Sequence, residues 1–139
     1  MFEGRIVVSG GWNNSDDRLN TVESYDVIAD KWSSMSNMIK GRYNHSLVAV
    51  RSKLVVIGSD KDDLEVFDNI SKTFLSLNSP YYFFDNKAMS IGNKVVIIKE
   101  YVPSIICYDV EKDEWSVESC KATKHIEDFS CVKLPWYQN

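Results

Sequence analysis

An all-β fold of repeated four-stranded antiparallel sheets is predicted for this 139-residue chain by three observations. The first is an internal repeat. Tyr25-Asp26, Phe67-Asp68 and Tyr108-Asp109 each lead, after five residues, to a second aromatic at Trp32, Phe74 and Trp115, and the matching aromatics step by 42 and 41 residues. The second is a set of short β-branched runs, each led by a basic residue, which read as strands. The third is that no segment carries a helical period together with caps. A four-stranded unit of about 41 residues is the sequence sign of a β-propeller blade. The expectation is therefore a partial β-propeller of three blades, an open arc unless another chain completes it.

The elements follow in order. Arg5-Ile6-Val7-Val8, Lys53-Leu54-Val55-Val56-Ile57 and Lys94-Val95-Val96-Ile97-Ile98 are apolar enough to be strands buried on both faces. The strands ending at the aromatic-Asp pair are Thr21–Tyr25, Leu64–Phe67 and Ser104–Tyr108. Asp26, Asp68 and Asp109 then open a turn, where a carboxylate accepts backbone N–H bonds about two residues on. The next strand starts at Trp32, Phe74 or Trp115, whose large ring is expected to pack between neighbouring sheets. Further strands are read at Ser46–Val50, Lys87–Ile91 and Phe129–Leu134. The predicted blades are residues 4–38, 45–79 and 86–120, with a spare closing strand at about 129–134.

Composition excludes several classes. The chain has 16 Lys and Arg against 20 Asp and Glu, a net charge of −4, which lacks the basic footprint of a nucleic-acid binder. With 44% hydrophobic residues it is expected to fold. Its longest apolar runs fall far short of the roughly 18 residues of a spanning helix. The first residues hold no secretory apolar region, so a cytoplasmic location is expected, with the cytoskeleton a further option. The three cysteines, Cys107, Cys120 and Cys131, fit reduced thiols better than a disulfide framework. The Asn-x-Ser sequons at Asn13, Asn44 and Asn69 then read as loop asparagines.

The repeat resembles that of the kelch family, whose pattern is a strand ending in Gly-Gly, a variable loop, Tyr-Asp, five residues, Trp, then Met and Arg. The first repeat carries Gly10, Gly11, Tyr25, Asp26, Trp32, Met38 and Arg42. The second keeps Gly58, followed by Ser59, with Phe67, Asp68 and Phe74; the third has Lys99-Glu100 in place of the glycines but retains Tyr108, Asp109 and Trp115. Arg42 aligns with Phe83 and Ile126. The Gly-His and Trp-Asp dipeptides that define the rival WD40 blade do not occur.

Function is expected on the loops that rim the blades. By the resemblance, the partner-binding candidates are the loop residues Trp12, Asn13, Asp16, Asp17 and Arg18, and the junction residues Arg42, Tyr43 and Asn44. A solvated loop with Trp12 covering a blade edge is the alternative for the first group. Arg42 either points its donors at a partner carboxylate or pairs with an inter-blade acid such as Asp26 or Asp68. Tyr81, Tyr82 and Phe83 sit in a run of four aromatics that reads equally as binding surface or as inter-blade packing. The charged segment 121–128 reads as solvated.

Catalytic readings fare poorly. His45 and His125, each placed in a junction loop, have no second ligand at metal spacing, so no cofactor and no metal are expected. Some kelch-like propellers are copper oxidases, but the Tyr, His and Cys set is too sparse. No nucleophile elbow, P-loop or dinucleotide fingerprint is present. The resemblance implies a non-catalytic protein-interaction module, the substrate-recognition part of a BTB-kelch adaptor for a cullin-RING ubiquitin ligase. The alternatives are an actin-binding cytoskeletal protein and a truncated, non-functional paralogue. The expected partner is thus a protein, a ubiquitination substrate or actin, without nucleic acid or membrane. The length matches the C-terminal half of a kelch ring, and an open half-ring exposes apolar flanks, so a fragment or self-association completing the propeller is also expected.

Overall fold

The computed structural model describes residues 1–15, 17–59, 63–83, 86–99 and 104–119. Eleven strands form three antiparallel sheets among these residues. Blade 1 holds β1 (Ile6–Ser9), β2 (Val22–Asp26) and β3 (Lys31–Ser34) in that spatial order. Blade 2 holds β4 (His45–Val50), β5 (Lys53–Gly58), β6 (Asp63–Asp68) and β7 (Thr73–Asn78). Blade 3 holds β8 (Asn86–Ile91), β9 (Lys94–Lys99), β10 (Ser104–Asp109) and β11 (Glu114–Ser119). The all-β, open, blade-like architecture expected from the repeat is the one observed, and each blade is an up-and-down meander. The closing strand read at residues 129–134 lies outside the described residues, as do Asp16, Cys120, His125 and Cys131.

Repetition extends to the turns. Asp26 Oδ1 accepts from the N–H groups of Ile28 and Ala29 at 3.0 Å each, Asp68 Oδ1 from Ile70 at 2.7 Å, and Asp109 Oδ1 from Glu111 and Lys112 at 3.0 and 3.1 Å. These bonds pre-form the hairpin, and the repeat aromatics pair across it as Tyr25↔Trp32, Phe67↔Phe74 and Tyr108↔Trp115. In repeats one and three the tyrosine hydroxyl also donates to a second turn carboxylate, Asp30 or Asp113. Repeat two changes both ends together, with Phe67 and Lys72 at the positions of the tyrosine and the aspartate. All three of these turn-closing residues have positive φ, 49°, 57° and 56° for Asp30, Lys72 and Asp113.

A tighter turn recurs ahead of each inner strand. Arg51-Ser52 and Gly92-Asn93 link β4 to β5 and β8 to β9, and Glu3-Gly4 forms the same turn before β1. Phe2 and Arg5 there exchange backbone bonds of 3.0 and 2.9 Å, which puts Phe2 in the place of Val50 and Ile91. Phe2 is buried, edge-on to Phe67 of blade 2 at 6.1 Å.

Apolar side chains are shared between adjacent blades. Met38, Val22, Leu54, Val56, Phe67 and Phe74 fill the space between blades 1 and 2. A second cluster around Val55, Ile57, Leu64, Val95, Ile97 and Tyr108 joins blades 2 and 3. Burying this much branched apolar surface, at about 25 cal/mol per Å² removed from water, is the main force holding blade to blade. Phe74 and Trp115 lie in these seams as expected. Trp32 does not: it is 50% exposed, and β1, read as buried on both faces, leaves Ile6 and Val8 each 44% exposed. The sequence pattern is the same in each repeat, but among the described residues no sheet packs on the outer face of blade 1.

Candidate interaction face

Two glycines set the seams. A Cβ on Gly10 would meet the carbonyl of Arg42 and the ring of His45, and one on Gly58 would meet the Asn86 side chain and the carbonyl of Phe83. Gly10 directly follows β1 and Gly58 ends β5, with φ of 62° and 98°, and each lets the first residue of the next blade pack directly on its backbone. Gly11 is replaced in blade 2 by Ser59, which keeps a positive φ of 79°.

The loop after β1 is organised by Asn13. Its side-chain oxygen accepts from the N–H groups of Ser15 and Asp17 at 2.9 Å each, and its amide donates to the Asp17 carboxylate at 3.2 Å. Leu19 returns to Gly11 at 2.9 Å, so Trp12 and Arg18 pair across the loop base. The junction segment threads beside it: Arg42 N donates to Leu19 O at 3.0 Å and Gly11 N to Arg42 O at 2.8 Å. Gly41 is required here because a Cβ would strike the Arg18 carbonyl.

This threading brings Tyr43 onto Trp12 and Arg18, which lie well before it in the sequence. The Trp12 ring meets Tyr43 edge-on at 4.8 Å, and the Arg18 guanidinium lies over the Tyr43 face at 5.0 Å. Trp12 remains 56% exposed. A cleft of about 340 Å³ opens alongside, lined by Val7, Ser9, Gly11, Tyr43, Asn44 and His45 among others. Asn13 and Asp17 bond within the loop and shape it. The cluster combines an exposed aromatic edge, a cation held by a ring and a neighbouring cleft, a combination suited to a protein surface.

Three candidate residues lie in the seams, the packing alternative for Tyr81 and Phe83 and, for Arg42, a structural pair with an acid other than the two expected. Arg42 is fully buried and faces neither a partner nor Asp26 nor Asp68: its Nε donates to Glu65 Oε1 at 3.0 Å and its Nη1 to Gly58 O at 2.7 Å. Glu65 is equally buried and also accepts from the backbone N–H groups of Ile39 and Lys40 at 2.6 and 3.2 Å. Phe83, also fully buried, stacks on Trp115 at 5.5 Å and belongs to the seam of blades 2 and 3. Tyr81 packs edge-on to the same ring at 5.7 Å. Of that aromatic run, Tyr82 is the most exposed of the described members, at 50%. Tyr82 and the Tyr43 segment occupy successive junctions of the repeat and so share one rim.

His45 is the first residue of β4 rather than part of a loop, and its Nε2 lies 2.8 Å from Ser9 Oγ. Burial, with the Arg42 charge nearby, pushes its pKa below the usual imidazole value. Cys107 is buried in β10 and its thiol pKa is raised by burial, so it is a packing residue. Tyr108 is likewise raised, by burial first and by its bond to Asp113. Among the described residues no cluster of three or more His, Cys, Asp or Glu side chains could hold a metal.

The comparisons with known proteins agree with this geometry. The Kelch motif matches residues 1–39. The chain is 37% identical over 137 residues to the Kelch repeat and BTB domain-containing protein 1 of vaccinia virus (strain Copenhagen), covering 93% of this chain and 22% of that protein. The protein of the same name from camelpox virus is 32% identical over 132 residues, again 93% of this chain and 22% of the relative. Kelch-like protein 7 of Rattus norvegicus is 28% identical over 121 residues, 78% of this chain and 20% of the relative. The chain thus spans about a fifth of the length of these curated relatives. The solved structure of YjhT superposes with a TM-score of 0.71 at 17% identity over 90% of this chain and 52% of its own, a likeness of fold.

Proposed function

We propose that this kelch-repeat chain is a non-catalytic, cytoplasmic module that binds a protein partner through one rim of its blades. Kelch repeats and the BTB-kelch relatives support a protein-interaction module. The observation that carries the rim assignment is the Trp12–Tyr43–Arg18 cluster beside its 340 Å³ cleft, with Tyr82 exposed at the next junction. Exposed aromatics and a ring-held arginine are the side chains that most often dominate protein interfaces. The finer proposal is that the partner is a substrate brought to a cullin-RING ubiquitin ligase, since the poxvirus relatives carry BTB in their names. The BTB part itself would have to come from residues other than these.

The test is affinity capture followed by mass spectrometry, wild type against Trp12→Ala, Tyr43→Ala and Tyr82→Ala. The expected result is one partner lost with Trp12→Ala and weakened by Tyr82→Ala, while the melting temperature stays within a few degrees. Equal capture by all four proteins would refute the rim as the binding site. Co-sedimentation with filaments would favour the actin-binding alternative.

A further inference from the structure

The seam between blades 1 and 2 differs from the next one at positions that the strand register matches. The row Val7–Ser24–Ser33 of blade 1 corresponds to Val55–Val66–Leu75 of blade 2. Across the seam, Asn69 of the β6–β7 turn stands where Val110 stands in blade 3. Val66 and Val110 are buried in the second seam, and Lys53 Nζ reaches across it to the Val110 carbonyl at 2.9 Å. In the first seam a serine and an asparagine take the places of both valines. Arg5, the counterpart of Lys53, turns instead to Asp26 of its own blade at 3.4 Å. Smaller polar side chains and a withdrawn cross-link leave a cleft of about 730 Å³, the size of a small-molecule site.

The cleft has an apolar wall and a polar mouth. Phe2, Phe67, Val7 and Met35 form the wall, and two rings with a thioether suit an aromatic body. Ser24 lines it too and is 4% exposed. Its hydroxyl reaches the Ser33 carbonyl at 3.5 Å, the outer limit of a hydrogen bond, which leaves a buried polar group under-satisfied. At the mouth Lys72 Nζ donates to Asn69 Oδ1, and Asn69 Nδ2 donates to Glu3 Oε1 at 2.7 Å. One amide thus holds a cation on one side and a carboxylate on the other. Ser36 Oγ fixes the same turn to blade 1 by donating to the Lys72 carbonyl. Arg5, the other cation of the lining, is matched by Asp26.

We propose that this seam binds a small zwitterion with an aromatic body, the chemical class of an aromatic α-amino acid. Its carboxylate meets Lys72, its ammonium meets Glu3, and its ring enters against Phe2, Phe67 and Met35. Charge complementarity selects this occupant. An anion would gain Lys72 but face Glu3, and a cation would gain Glu3 but face Lys72. A wholly apolar ligand would strip water from both charges and return nothing for it. The mouth lies at the Arg5 end of β1 and the rim at its Gly10 end, so the site does not rest on the rim.

The site is tested on the full chain by saturation-transfer NMR titration with three probes that share one ring system. They are L-tryptophan, tryptamine, which lacks the carboxylate, and indolepropionate, which lacks the amine. L-tryptophan is expected to bind about tenfold tighter than either analogue, the loss of one charge-assisted bond. Lys72→Gln should bring L-tryptophan down to the level of tryptamine without weakening tryptamine itself. Glu3→Gln should do the same with respect to indolepropionate. Ser24→Val puts the valine of the second seam into the cleft and should abolish binding of all three, with circular dichroism reporting the fold. Lys72 and Glu3 are exposed, so their variants report even where Ser24→Val does not fold. Saturation transfer to none of the three probes at millimolar concentration would overturn the proposal. So would equal affinity for all three, or L-tryptophan binding that is unmoved by Lys72→Gln or Glu3→Gln or that persists in folded Ser24→Val.

Discussion

Arg42 and Glu65 face each other across the seam between blades 1 and 2 with no solvent on either side chain, Nε to Oε1 at 3.0 Å. The carboxylate also caps two backbone N–H groups of the entering segment, so one ion pair holds a junction, a strand end and a blade. Both charges are saturated with bonds, the condition under which burying them is tolerable.

Removing one partner is therefore expected to be severe. Arg42→Met leaves Glu65 buried without its cation and should cost about 3–5 kcal/mol in urea unfolding. The double variant Arg42→Phe/Glu65→Ile copies the seam of blades 2 and 3 and should recover most of that loss. A double variant as unstable as the sum of the singles would contradict the equivalence of the two seams.

The two tyrosine turns predict a compensation in the third. Phe67→Tyr places a hydroxyl opposite Lys72 where repeats one and three have aspartate, and should destabilise. Adding Lys72→Asp supplies the acceptor and should restore about 1 kcal/mol, read as the coupling in a double-mutant cycle.

His45 makes stability depend on pH. Burial and the nearby Arg42 charge hold its folded pKa below the ordinary imidazole value of about 6.5, so protonation favours the unfolded chain. Stability is then complete above about pH 6.5 and falls as pH drops below it, levelling once the folded imidazole also titrates. His45→Asn, which copies Asn86 of the next blade, should flatten the melting temperature between pH 5 and 7. An unchanged slope would place the pH dependence elsewhere.

The turn aspartates act at lower pH and with the same sign in all three repeats. The Ala29 and Ile70 N–H bonds lead in holding Asp26 and Asp68 below their ordinary value; at Asp109 burial raises the pKa, but bonds from Glu111, Lys112 and Asn93 prevail. A depressed carboxylate stabilises above its unfolded pKa and loses that contribution as pH falls through the folded one. Unfolding is thus expected to set in below about pH 4, and Asp109→Asn should lower the melting temperature more than Asp68→Asn, since Asp109 also holds Asn93.

Much of this was readable in order along the chain. The Asp turns, the basic-led strands and the aromatic pairs depend on residues a few positions apart, and each formed where the pattern placed it. The residue pairs that join blades were not readable in the same way. Nothing near Glu65 marks it as the partner of Arg42, 23 residues earlier, and nothing near Trp12 points to Tyr43. Phe2 carried a signal that went unread: it stands three residues ahead of Arg5, as Val50 and Ile91 stand ahead of Lys53 and Lys94.

Repeat, strand and turn were written into local sequence because backbone propensity and short-range hydrogen bonds act between near neighbours. Which aromatic is covered and which is bare was not. Trp32, Phe74 and Trp115 occupy one repeat position, yet two lie in seams and Trp32 faces solvent. Burial belongs to a pair of sheets, and only the packed structure says which face has a sheet against it.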